Sequence, residues 1–163
     1  MSKAYKIAHF GAYSTNIGDT VAINNIRIQL AKHLESEIEW VPVSIIDCME
    51  QKNEKNYTIA ELRRLTKGCD ALIIGGGGLI EGGKFCEKEA SESGWKMPFT
   101  EEVFQELDLQ MPIFVVGVGV NYFRNIKGFT GFKNPETGRS GIEAFKSLIK
   151  RSDMFSVRND GSL

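Results

Sequence analysis

The chain has 163 residues, of which 42% are hydrophobic and 25% charged, with a net charge of −1. That is the range of one ordinary globular domain with a sizeable core. It excludes the basic field of a nucleic-acid-binding protein and a polybasic membrane patch. No apolar run approaches the roughly 20 residues that a membrane-spanning helix needs.

Met1 to Lys6 leads straight into a strand-like segment, with no apolar signal-peptide region ahead of it. Residues 4–10 read as a first strand, followed by a Gly/Ser/Thr/Asn-rich loop from Gly11 to Gly18. Asp19 or Thr20 can cap a helix that runs to about Ser36, because a side-chain oxygen accepts a free N–H of the first turn. Ile23, Ile26, Leu30 and Leu34 recur at steps of three and four and predict one apolar stripe. Residues 38–46 predict a second strand, with Pro42 favouring an edge position. A polar loop, Gln51 to Asn56, precedes a short helix from Thr58 to Lys67, which Gly68 stops.

The apolar run Ala71–Ile74 is too short for a stable helix and predicts a buried strand. It runs into Gly75, Gly76, Gly77 and Gly78, which are expected to turn the main chain sharply after the strand. Residues 81–99 form a long polar stretch without periodicity. A helix from Thr100 to Leu107 follows, then a continuous strand led in by Pro112, Ile113 to Val118. A Gly/Asn-rich loop covers residues 119–138, a helix Gly141 to Lys150, and a last strand Met154 to Val157.

This alternation predicts an α/β, Rossmann-like, mostly parallel sheet with helices on both faces and right-handed crossovers. The glycine-rich loops all follow strands, so they gather on the carboxyl edge, where such folds bind ligands. Beyond the last strand, Asn159 or Asp160 can cap a further helix. We therefore expect the chain to stop within a larger architecture, as a fragment or an interrupted gene product.

Several residues on that edge are candidates for binding. Asn16, Gly18 and Asp19 stand at a helix N-terminus, which favours anions, whereas Asp19 itself suits a sugar hydroxyl or a plain cap. The spacing is not a dinucleotide fingerprint, and no P-loop lysine is present. Gly76, Gly77 and Gly78 allow a ligand close to the main chain, with Glu81 and Lys84 just past them. Gly117 and Gly119 flank Val118 at the end of the fourth strand, with Asn121 beyond, and Arg124 and Arg139 lie in or beside the following loop. Close backbone packing at the sheet edge is as good a reading of these glycines as ligand contact. Arg158 follows the last strand, where a guanidinium can clamp a carboxylate or phosphate in two-pronged fashion, or simply pair with Asp153 or Asp160. His9 lies near the end of the first strand and is either site-facing or a hydrogen-bonded core residue. Cys48, Cys69 and Cys86 are odd in number and lack CxxC spacing. They point to free thiols in a reducing cytoplasm rather than disulfides or zinc, and there is no metal-ligand cluster.

Four of these stretches, in order, resemble the successive motifs of the polysaccharide pyruvyl transferase family. They are Asn16-Ile17-Gly18-Asp19, Asp70 to Leu79, Gly117-Val118-Gly119, and Ser156-Val157-Arg158-x-Asp160-x-Ser162. The resemblance implies the N-terminal half of a two-lobed, glycosyltransferase-B-like protein. It implies transfer of pyruvyl from phosphoenolpyruvate to a sugar of a surface polysaccharide or glycan, without a cofactor. It also implies a missing C-terminal domain as partner and a possible homo-oligomer. Arg158 matches the family's arginine and is the expected donor contact, while Asn16 and Asp19 match the first motif on the acceptor side. Asn159 departs from the family pattern, which places Asp directly after the arginine. No general acid is assigned, and the 163-residue chain alone is expected to be inactive or nearly so. Two other readings compete. One is a non-catalytic Rossmann-like nucleotide- or sugar-binding module. The other is a truncated relative with an exposed apolar patch and a tendency to self-associate.

Overall fold

Short β-branched runs covered on both faces pair as parallel strands, because the helices that join them lie above and below the sheet. A computed structural model describes residues 4–13, 17–44, 59–81, 99, 101–121 and 141–158. Its strands are β1 (Tyr5–Gly11), β2 (Ile38–Ser44), β3 (Ala71–Glu81), β4 (Ile113–Asn121) and β5 (Met154–Val157). Its helices are α1 (Ile17–Leu34), α2 (Ile59–Thr66), α3 (Glu101–Leu107) and α4 (Gly141–Arg151). The sheet order is β2-β1-β3-β4-β5 and every neighbouring pair is parallel. The expected α/β architecture is therefore present, and Pro42 does lie on an edge strand.

The two faces are covered differently. Ala8, Phe10, Leu72, Ile74, Ile113 and Val115 pack against Leu62 of α2, Phe104 of α3 and Leu148 of α4. Phe99 completes this core, edge-on to Phe10 at 5.1 Å and stacked on Phe104 at 5.2 Å. The alternate residues Ile7, Ala71 and Ile73 face the other way, with Ile26 and Leu30 of α1 packed on them. On this second face an apolar groove of about 720 Å³ runs beside α1, lined by Ile26, Leu30, Ile73, Phe114, Val116 and Met154. The α1 stripe is also less simple than its spacing suggests. Ile23 is buried, but Ile17, Val21 and Ile28 on the opposite side are exposed.

Three elements end elsewhere than predicted. Helix α1 begins at Ile17, so Asp19 lies in its first turn rather than capping it. The acid still opposes the positive end of the helix dipole. Strand β3 does not turn at the four glycines but continues through them to Glu81, because β4, itself longer than predicted and ending at Asn121, supplies pairing partners as far as that. Gly68, with φ +72°, follows α2 as the expected helix stop.

At the amino edge one device occurs twice. The Lys6 N–H donates to Asp70 Oδ2 at 2.9 Å, and the Asp70 N–H donates to the Lys6 carbonyl at 2.7 Å. The Ile113 N–H donates to Asp153 Oδ2 at 2.8 Å, and the Asp153 N–H donates to the Ile113 carbonyl at 2.8 Å. Each aspartate precedes a strand and closes the start of that strand onto a neighbour far away in sequence. Charge-assisted bonds of this kind set register before the apolar pairs begin. Asp70→Ala leaves the Lys6 N–H without its acceptor and should destabilise the fold by about 1–3 kcal/mol in urea denaturation. Asp70→Asn, which keeps an acceptor oxygen, should cost less.

Candidate functional site

The chain reverses direction across the sheet at β1: α1 leads outward to β2, whereas α2 crosses back to β3. In open α/β sheets the crevice at such a reversal, outside the carboxyl ends of the strands, is the ligand-binding place. Here the N-terminal turn of α1 meets the glycines of β3 at that point. A Cβ built on Gly76 would lie 2.9 Å from the Ile23 backbone N, and one on Gly77 would lie 2.5 Å from Asp19 Oδ1. Gly76 also has φ +79°, a left-handed conformation that side chains resist. Glycine is thus what lets α1 sit directly on the strand and lays the Asp19 side chain over Gly77.

The next strand repeats the arrangement with opposite charge. A Cβ on Gly119 would lie 2.6 Å from Arg158 Nε and 2.7 Å from its Cζ, so the guanidinium rests on the bare backbone of β4. The Arg158 N–H donates to the Val118 carbonyl at 3.0 Å, which carries β5 pairing one residue further. Gly77 pairs with Val118, the residue before Gly119. The two glycine cradles therefore lie on adjacent strands, roughly 5 Å apart in the pairing direction. One is covered by a carboxyl side chain and the other by a guanidinium.

The structure therefore brings together Asp19, Gly76, Gly77, Gly119 and Arg158. Gly18 is exposed in the first turn of α1, and Gly78 lies in a register irregularity of β3 between Gly77 and Ile80. Asn121 is the last residue of β4, its backbone opposite Glu81. Asn16, Lys84, Arg124 and Arg139 lie outside the described residues.

Behind the cradles lies a polar cluster, two members of which, Tyr13 and Arg27, are not singled out by sequence reasoning. His9 is fully buried in β1 and its Nε2 lies 3.3 Å from the Gly75 carbonyl. Arg27 Nε donates to His9 Nδ1 at 3.3 Å, and Arg27 Nη2 donates to the Tyr13 hydroxyl at 2.6 Å. The Tyr13 hydroxyl donates in turn to the His9 carbonyl at 2.8 Å. Arg27 also lies over the Tyr13 and Trp40 rings. Because Nδ1 accepts from Arg27, the proton of neutral His9 is assigned to Nε2, which donates to Gly75. Burial, and then the Arg27 charge, hold the His9 pKa down at about 4. Burial pushes Tyr13 up to about 12, against the opposing effect of Arg27. Neither group exchanges protons near neutral pH, so His9 is a core histidine that braces the start of the glycine run. The signal available in the sequence was a single one: Arg27 directly follows Ile26 on the buried side of α1.

The fold is thus a parallel α/β sheet whose carboxyl edge is floored by glycine on two adjacent strands, one covered by the carboxyl side chain of Asp19 and the other by the Arg158 guanidinium. Compared with protein-family models, residues 16–163 match the one described as polysaccharide pyruvyl transferase. The chain belongs to that family. No curated protein and no solved structure matches it. Among the described residues no helix is long and apolar enough to cross a membrane, and no three His, Cys, Asp or Glu side chains are grouped to hold a metal ion.

Burying a neutral His9 makes folding sensitive to acid. Its folded pKa of about 4 lies below the unfolded value of 6.5, so the unfolded chain takes up the proton first. The contribution is complete above about pH 6.5 and is lost as pH falls from there toward 4. Urea denaturation at pH 5 should show about 2 kcal/mol less stability from this group than at pH 7.5. His9→Gln should remove most of that difference.

Proposed function

We propose that this chain is the N-terminal lobe of a two-lobed, glycosyltransferase-B-like enzyme. That enzyme transfers pyruvyl from phosphoenolpyruvate to a sugar of a surface glycan. The observation that carries the reading is the paired cradle: Arg158 on Gly119 beside Asp19 on Gly77, on the carboxyl edge of a parallel sheet. A guanidinium offers a carboxylate or phosphate two parallel N–H bonds. A carboxyl side chain beside it accepts from sugar hydroxyls.

The chemistry asks for both. In forming a ketal, the methylene carbon of phosphoenolpyruvate gains a proton and the adjacent carbon accepts a first sugar hydroxyl oxygen. The bond to phosphate then breaks, inorganic phosphate leaves, and a second hydroxyl oxygen closes the ring. The two hydroxyl protons offset the proton taken up by carbon and protonate the departing phosphate. Arg158 meets the donor's negative charge, which is greatest as phosphate departs, and Asp19 orients the acceptor hydroxyls. Neither histidine suits the proton transfer to carbon: His9 is neutral and enclosed, and His33 lies on exposed α1 with its Nδ1 2.7 Å from the Gln29 carbonyl. A second lobe would close over the carboxyl edge and bring the acid for that step.

Calorimetry with phosphoenolpyruvate and with nucleotides tests the reading. Phosphoenolpyruvate should bind in preference, and Arg158→Ala should weaken it about tenfold or more. Arg158→Lys should recover only part of that loss. Phosphate release with a pyruvylatable glycan should be slow or absent for the 163-residue chain alone. Preference for a nucleotide would instead identify a binding module, and brisk turnover by this chain would end the two-lobe proposal.

A further inference from the structure

Arg158 reaches Gly119 only because β4 contains one residue more than β5 needs. Val115 pairs with Phe155 and Val118 with Val157, so β4 advances three residues while β5 advances two. This is a one-residue β-bulge, and it reverses the faces of everything beyond it. Before the bulge, Val115 lies in the core under α2, α3 and α4, and Val116 faces α1. After it, Val118 is again in the first core, so Gly119 faces the α1 side. On β5, Phe155 and Val157 pack on that first core, which places Met154, Ser156 and Arg158 on the α1 side. Without the bulge, Gly119 would open onto the face opposite Arg158.

Gly117 is the residue that makes the bulge, with φ +59°. Its N–H donates to Ser156 Oγ at 3.0 Å, and the same hydroxyl lies 3.5 Å from the Val115 carbonyl. We propose that Ser156 is a positioning residue: it latches the Gly117 bulge and thereby aims the Arg158 guanidinium onto Gly119. The inference rests on the reading that Arg158 holds the anionic donor, and it adds the device that sets its aim. A hydroxyl suits the position because one oxygen can accept from the extra N–H and donate to the carbonyl before it. Alanine provides neither, whereas threonine keeps the oxygen.

The test uses the full chain and Ser156→Ala, Ser156→Thr and Gly119→Ala variants, with thermal denaturation to establish that each folds. Amide hydrogen exchange of Gly117 should be at least about tenfold faster in Ser156→Ala and close to the parent in Ser156→Thr. The Arg158 Nε–H resonance, assigned by its loss in Arg158→Lys, should move in Ser156→Ala and in Gly119→Ala but not in Ser156→Thr. Phosphoenolpyruvate affinity should fall about tenfold in Ser156→Ala and recover in Ser156→Thr. An Arg158 resonance that stays in place in Ser156→Ala overturns the positioning role, whatever happens to affinity. If Ser156→Ala does not fold, a shifted Arg158 resonance in Ser156→Thr, with Gly117 exchange at the parent rate, overturns it equally. Failure of the parent chain to bind phosphoenolpyruvate counts against the proposed function, while the Arg158 resonance still decides the role of Ser156.

Discussion

Backbones can touch only where side chains are absent, and the carboxyl edge of this sheet depends on that constraint. A Cβ on Gly75 would collide with the Val116 carbonyl of the neighbouring strand. One on Gly76 would collide with the main chain of α1 at Ile23. The first turn of α1 can therefore settle on β3, and the end of β5 can settle on β4, with two charged side chains lying directly over bare peptide. Any larger residue would push these elements apart and open the edge.

Register irregularities do the rest. Between Gly77 and Ile80, β3 advances three residues while β4 advances two, from Val118 to Val120. Beyond this shift Leu79 returns to the core that holds Leu72 and Ile74, although parity alone would send it to the α1 face. The bulge in β4 acts in the same way on Gly119. Two extra residues in adjacent strands thus let the lower part of the sheet keep its apolar alternation while its carboxyl end changes face. Here the shift in β3 returns Leu79 to the core, and the bulge in β4 turns Gly119 toward the α1 side.

The polar cluster behind the edge has a different role from the edge itself. His9, Arg27 and Tyr13 satisfy one another and the main chain at His9 and Gly75. A buried network that is satisfied in this way favours one arrangement of the chain over its alternatives. The histidine pKa near 4 is a consequence of that enclosure.

How much of this was legible in the sequence differs by level. Apolar runs and helix-spaced stripes carried the α/β alternation, and Pro42 marked an edge, because burial and hydrogen-bond geometry act locally on such patterns. Asp19, Gly77, Gly119 and Arg158 could each be singled out from their place after a strand. That Asp19 covers Gly77 and Arg158 covers Gly119 could not, since only the folded packing of α1 and β5 on their neighbouring strands brings together residues 58 and 39 positions apart, 77 − 19 and 158 − 119. The four glycines look like a turn in one dimension, where nothing shows β4 waiting to pair with them. Their extension as strand, the bulge at Gly117 and the latch by Ser156 depend on which strands become neighbours. Composition and order therefore determined the class of fold and the candidate residues. Only the tertiary structure decided which face each glycine opens onto, because a single inserted residue reverses that face and leaves the local sequence pattern unchanged.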